Sequence, residues 1–135
     1  MTTIGEDEQL KMLLQSIAKN HEISSDELQF LLLRREKGQV DFLLIDIREM
    51  YEYSAVSIKG TDLLLPTSMI HQHLDELAKQ KDRLMIFYCR SANRTFQLIS
   101  ILKRMGYSRI AHLDGGIVEY LGEKVKNAPL PNTLK

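Results

Sequence analysis

Leu84-Met85-Ile86-Phe87-Tyr88-Cys89-Arg90-Ser91-Ala92-Asn93-Arg94-Thr95 is the stretch on which the rest of the chain turns. Residues 84–88 form an apolar run of strand length, continuous rather than alternating, as in a strand buried on both faces. Behind it Phe96, Leu98, Ile99, Leu102 and Met105 recur at three- and four-residue spacing up to Gly106, which predicts a largely buried helix over 95–105 with a glycine stop. A strand that breaks into a loop and then a helix aims successive backbone N–H groups and the positive helix end into that loop. Cys89, the single cysteine, opens this anion-binding cradle.

Working outward, Phe42-Leu43-Leu44-Ile45-Asp46 is a second continuous apolar run ending in charge, and Arg109-Ile110-Ala111-His112-Leu113 a third. Asp62-Leu63-Leu64-Leu65-Pro66 reads as a short strand closed by proline. Between the strands lie helical patterns. Leu10, Leu13, Leu14 and Ile17 share one face of a first helix over 6–19, which either caps the domain or joins a second copy as a homodimer. Ser24-Ser25-Asp26-Glu27 is a capping-box signal for a helix carrying Leu28, Leu31 and Leu32 towards Gly38. Met50 to Ala55 is a short helix, and Thr67 or Ser68 is placed to cap another in which Ile70, His73, Leu74 and Leu77 share a face up to about Lys81. Asp114-Gly115-Gly116 turns into a last short helix through Leu121, and two prolines beyond Gly122 suggest a loose tail.

Buried strands alternating with helices imply an α/β fold with a mainly parallel central sheet of about five strands and helices on both faces. Ligands of such sheets sit beyond the carboxyl ends of the strands, where Asp46, Cys89 and Asp114 fall.

Composition narrows the partners. At 135 residues, 44% hydrophobic and 27% charged, the chain has the profile of one globular domain. Eighteen Lys plus Arg balance eighteen Asp plus Glu, and this zero net charge argues against nucleic acid or an anionic membrane as the main partner. The first residues show neither a basic stretch nor an apolar one, so the expected compartment is the cytoplasm. One cysteine forms no internal disulfide, so sulfur chemistry must finish on an external partner.

Taken together, three motifs resemble the rhodanese-like domain, the single-domain sulfurtransferase family. Leu44-Ile45-Asp46-Ile47-Arg48-Glu49 with Glu52-Tyr53 is similar to its first motif, Cys89 to Thr95 to its active-site loop, and Leu113-Asp114-Gly115-Gly116-Ile117 to its closing motif. The resemblance divides the chain into an N-terminal helical extension at 1–22, a rhodanese-like domain at 23–122 and a C-terminal tail at 123–135. Two departures stand out. Val56-Ser57-Ile58-Lys59-Gly60-Thr61 replaces a segment that in the family usually holds histidine and proline, and Ala92 stands where glycine is most usual.

The resemblance implies a thiosulfate sulfurtransferase that needs no cofactor. Cys89 is the nucleophile that takes a sulfane sulfur from thiosulfate or a persulfide and passes it to a thiol or cyanide. Proteins as sulfur donor or acceptor stay open. An amide nest, a helix dipole and two guanidinium groups favour the thiolate. Arg90 and Arg94 suit the sulfonate end of a donor or the acceptor. Ser91, Ala92 and Asn93 complete the binding loop, whose backbone N–H groups line the cradle whatever the side chains do. Asp46, Arg48, Asp114 and Gly115 are expected as framework near the site. His21, His71, His73 and His112 are scattered, so no metal site is expected. Against a cysteine phosphatase, whose loops are of the form Cys-x5-Arg, Cys89 to Arg94 is Cys-x4-Arg, and no second cysteine supports arsenate reduction. A persulfide carrier or a non-catalytic partner-binding module is the remaining alternative.

Overall fold

The computed structural model describes residues 5–131. Its centre is a five-stranded sheet, all parallel, in which β1 (Glu22–Ile23), β6 (Ile110–Leu113), β5 (Met85–Tyr88), β2 (Leu43–Asp46) and β4 (Leu63–Leu64) lie side by side in that order. Leu43 to Asp46 face Met85 to Tyr88 one for one, and Met85 to Phe87 face Ile110 to His112. Because side chains alternate across a strand, this register sorts the apolar runs into two cores. Leu44, Ile86, Tyr88, Ala111 and Leu113 enter one, and Leu43, Ile45, Met85, Phe87 and Ile110 the other. A strand needs a continuous apolar run when both its faces are covered, and here both are.

The first core is covered by α1 (Glu6–Asn20) and α2 (Ser25–Glu36), together with Ile117 of α6 (Gly116–Glu119). The second is covered by α5 (Asn93–Arg104) and by a 3-10 helix (Thr67–His73) that runs into α4 (Leu74–Ala78). The capping box of α2 is complete: the Glu27 amide donates to Ser24 Oγ at 3.2 Å, and the Ser24 amide to Glu27 Oε1 at 2.8 Å. The first helix caps the domain, because Leu10, Leu13 and Ile17 are buried in the first core. Ile17→Ala is therefore expected to cost about 2–4 kcal/mol of unfolding free energy. Met12→Ala, on the half-exposed face of the same helix, should stay within ~0.5 kcal/mol. A denaturant titration that gave equal, small losses for both would detach α1 from the core.

Several expectations are corrected. Helix α5 begins at Asn93 rather than 95, which shortens the loop, and Phe96 and Met105 are exposed rather than buried. The helix expected from 67 opens as a 3-10 turn after Pro66 with no side-chain cap, because Ser68 Oγ turns to Glu49, 2.8 Å away. The tail is not wholly loose: β7 (Lys124–Val125) pairs antiparallel with β3 (Ser57–Ile58). That pairing anchors the departing segment 56–61. The Lys59 amide donates to Glu123 O at 3.0 Å, and the Ile58 amide to the Tyr88 hydroxyl at 3.2 Å. The turn is then closed by Thr61 Oγ1 on Ile58 O at 2.6 Å and by Arg35 on Gly60 O at 2.8 Å. The carboxylate of Asp62 holds both Arg35 (2.6 Å) and the Leu44 amide (2.7 Å), so α2 and β2 fix this turn without the histidine or proline.

Candidate active site

Cys89 follows directly on β5, the strand that stands third of five in the sheet, and it is only 1% exposed. The chain must turn sharply between it and α5, and it does so at Ala92, whose φ of 86° lies in the left-handed region. For a residue with a Cβ this costs roughly 1–2 kcal/mol, strain held in place by the loop around it. The turn points the Ala92 amide at Cys89 Sγ, 3.2 Å away. Ala92 also serves as the cap residue of α5 yet offers no side-chain cap. No side chain of the cap residue therefore competes for the first-turn N–H groups of α5, which lack partners within the helix.

The loop carbonyls are held away from that cradle by the Gly115-Gly116 turn. The Ile117 amide donates to Cys89 O at 2.9 Å and the Val118 amide to Arg90 O at 3.1 Å. Gly116, at φ 63°, lets the two backbones touch: a Cβ there would lie 2.5 Å from the Arg90 carbonyl carbon and 2.7 Å from Cys89 O. Asp114 contributes through its backbone, donating to Ile23 O at 2.8 Å.

The two arginines of the loop part company. The Arg90 guanidinium is exposed, without a hydrogen-bond or ion-pair partner among the described residues. Arg94 is held end-on by Glu52 of α3 (Met50–Ala55), Nη1 to Oε1 at 3.1 Å and Nη2 to Oε2 at 2.9 Å. This bidentate pair braces the start of α5 against α3. Beneath it Asp46 and Arg48, both buried, form a second bidentate pair, with Nη2 to Oδ2 at 2.9 Å and Nε to Oδ1 at 3.1 Å. Arg48 reaches on to Val56 O, 2.6 Å away, and so ties the end of β2 to the segment after α3. Ser91 and Asn93 are exposed at the mouth.

The Arg94 hydrogen bonds hold the Glu52 carboxyl below its ordinary value of 4.5, against burial, which pushes it up. The native state therefore binds fewer protons at this carboxyl than the unfolded one. Its contribution to stability is complete above pH 4.5 and is lost as the pH falls through the depressed native value. In urea titrations between pH ~3 and ~6, the gap between wild type and Glu52→Gln should close on the acid side. A gap that stays constant with pH would remove the ion pair from the stability of the loop.

With this geometry in view, residues 27–123 match the family model for the rhodanese-like domain. The chain belongs to the rhodanese-like domain family. It is 35% identical over 100 residues to a sulfurtransferase of Allochromatium vinosum, covering 74% of this chain and 87% of that one. It is 31% identical over 108 residues to a tRNA uridine(34) hydroxylase of Bdellovibrio bacteriovorus, but spans only 29% of that longer protein. The fold also superposes on a thiosulfate sulfurtransferase of Pseudomonas aeruginosa, with a TM-score of 0.68 at 20% identity over 88% of this chain and 22% of the other. The parallel five-stranded sheet with helices on both faces is thus the rhodanese-like arrangement.

Within this rhodanese-like domain the structure adds residues that sequence reading passed over. Glu52 was seen only as part of a motif, and no local pattern pairs it with a side chain 42 positions on. Thr95, fully buried, sets its hydroxyl 3.7 Å from Cys89 Sγ, and its place at the end of the cysteine loop was the available signal. A cleft beside the loop is lined by the apolar faces of Tyr51, Val56, Ile117 and Val118 and by three cations, Arg48, Arg90 and Lys124, with the Glu52 carboxylate among them. The apolar hollows flanking α1 share none of these residues and lie apart from Cys89. Among the described residues no cluster of His, Cys, Asp and Glu is placed to hold a metal, and no helix is long and apolar enough to cross a membrane.

Proposed function

We propose that the protein is a sulfurtransferase that carries a sulfane sulfur on Cys89, taking it from thiosulfate or a persulfide and giving it to a thiol or cyanide. The observation that carries this reading is the cradle itself. Cys89 Sγ already receives the Ala92 amide, while the Cys89 and Arg90 carbonyls are pinned outward on α6. A thiolate and, after it, a persulfide anion both gain from amides held in this way. The Cys89 thiolate attacks the outer sulfur of thiosulfate and a new S–S bond forms. The bond to the sulfonate sulfur breaks, and sulfite leaves with the electron pair. Cyanide carbon or an acceptor thiolate then attacks the terminal sulfur, and the Cys89 thiolate departs with the Cys–S bonding pair. Arg90, free of partners at the mouth, is the side chain that meets the sulfonate, and Arg94 acts by bracing the loop. The similarity to the Allochromatium vinosum sulfurtransferase over most of that protein's length supports the same class.

Intact-mass measurement after incubation with thiosulfate should show one added sulfur that cyanide removes. An unmodified mass under these conditions, or clear turnover of aryl phosphates, would overturn the reading. A carrier role, in which the sulfur comes and goes on other proteins, is favoured by one observation. Tyr51 and Val118, which line the cleft beside the loop, are 75% and 60% exposed, an apolar rim suited to a partner surface.

A further inference from the structure

His112 is buried in β6 at 6% exposure, and nothing in the sulfur-transfer reading uses it. Its Nδ1 lies 3.1 Å from Thr95 Oγ1, and Thr95 Oγ1 lies 3.7 Å from Cys89 Sγ. The three groups form a file that runs from β6 through the first turn of α5 to the reacting atom. The ring is fixed on two further sides. Phe96 meets it edge-on with centroids 6.1 Å apart, which gives that exposed phenylalanine a task. Glu22 of β1 approaches Nε2 at 4.0 Å, beyond hydrogen-bond reach. Glu22 and Asp114 are the charged groups that pull the ring towards protonation. Burial outweighs them and pushes the imidazole below its ordinary 6.5, so it is neutral at neutral pH.

A neutral imidazole carries one N–H, and a threonine hydroxyl one hydrogen. Thr95 Oγ1 also lies 3.0 Å from Ala92 O, which can only accept. If the ring hydrogen sat on Nε2, Thr95 would have to donate into Nδ1, which leaves Ala92 O with the Phe96 N–H and the sulfur with the Ala92 N–H alone. With the hydrogen on Nδ1 the ring donates to Thr95. The hydroxyl hydrogen is then shared between Ala92 O and Cys89 Sγ, and moves to the sulfur when the sulfur is negative.

We propose that His112 is a positioning residue for the reacting sulfur: its Nδ1–H, donated to Thr95, frees the Thr95 hydroxyl to stabilise the Cys89 thiolate and persulfide. The inference rests on Cys89 being the sulfur carrier, and its test is built on alkylation, which needs no sulfur transfer.

Iodoacetamide alkylation of Cys89 at neutral pH should slow about tenfold in His112→Leu, the worth of one charge-assisted hydrogen bond. It should recover to within about twofold of wild type in His112→Asn, whose amide N–H can replace Nδ1–H. In a Thr95→Val background, His112→Leu should change the rate by less than about twofold, since the intermediary is gone. A purely structural role for the ring would give the same loss in both backgrounds, and that result, or wild-type alkylation in His112→Leu, overturns the proposal. The ring nitrogens of the unmutated protein give a check that needs no variant to fold. Long-range ¹⁵N spectra should show the Nδ1-protonated tautomer, and an Nε2-protonated ring overturns the relay. If these results hold while thiosulfate adds no sulfur to the wild-type chain, the transfer reading falls and the relay stands.

Discussion

Cys89→Ser is expected to abolish thiosulfate-dependent thiocyanate formation, a fall of roughly 10⁴-fold or more, with the fold retained. The loss is in the nucleophile. A cysteine near neutral pH supplies some thiolate of high sulfur affinity, whereas a serine hydroxyl supplies essentially no alkoxide, and among the described residues no base lies within direct hydrogen-bond reach of this atom. The substitution is nearly isosteric, and the new hydroxyl still accepts from the Ala92 amide that now meets Sγ at 3.2 Å. The cost to stability is therefore expected to be ~1 kcal/mol, for placing a hydroxyl where the sulfur lies within the second core. The measurements are the steady-state rate with thiosulfate and cyanide, and the thermal midpoint. Comparable activity in the variant would sink the nucleophile assignment, and with it the persulfide.

The parts of this site that could be read from sequence are those carried by local pattern. The runs at 42–46, 84–88 and 109–113 are continuously apolar because each strand is covered on both faces, and they became β2, β5 and β6 within a residue at each end. Ser24 and Glu27 announced the start of α2 because a capping box lies within four consecutive residues. Cys89 could be placed at the strand end because the run before it stops there.

What stayed hidden depends on distance along the chain or on very short elements. β1, β3 and β7 are two residues each, too short for any period, and exist only because a neighbour offers backbone partners. Phe96 was placed on the apolar stripe of α5 by spacing, yet the buried stripe is Thr95, Leu98, Ile99 and Leu102, and Phe96, one position off it, lies outside the core against His112. The site followed the same rule. Asp46 and Arg48 were expected as framework from the resemblance to the rhodanese-like domain, not from their spacing, which alone would have suggested a catalytic pair at a strand end. Glu52 with Arg94, and Thr95 with His112, come together only through the sheet order and the crossing of α3 and α5 over it. His112 was weighed as a metal ligand and set aside, and its hydrogen-bonding role became visible once β6 lay beside β5.

Gly116→Ala is the second change with a large expected effect, and it separates the shape of the cradle from its chemistry. Gly116 is buried at φ 63°, where an added Cβ costs about 1–2 kcal/mol in backbone strain alone. The Cβ would also meet the Arg90 carbonyl group and sit 2.7 Å from Cys89 O, both of them backbone that cannot swing aside. Relief requires α6 and the cysteine loop to part, which breaks the bonds from Ile117 to Cys89 O and from Val118 to Arg90 O. The freed carbonyls can then turn towards the sulfur and face a developing negative charge with negative ends of dipoles. A displacement of about 1 Å at the reacting atom is worth roughly 10²-fold in rate, so kcat/KM should fall at least that far, with a loss of about 2–3 kcal/mol in stability. Gly115→Ala is the control. Its φ of 77° is equally unfavourable, but the added Cβ meets only Glu119, whose exposed carboxylate can turn away while its Cβ, 2.8 Å off, has to shift with α6. Its stability loss should therefore exceed the strain alone, while more of the activity survives than in Gly116→Ala because no contact falls on the Cys89–Arg90 backbone. Equal losses of activity in the two variants would mean that the contact between Gly116 and the Cys89–Arg90 backbone does not hold the cradle in shape.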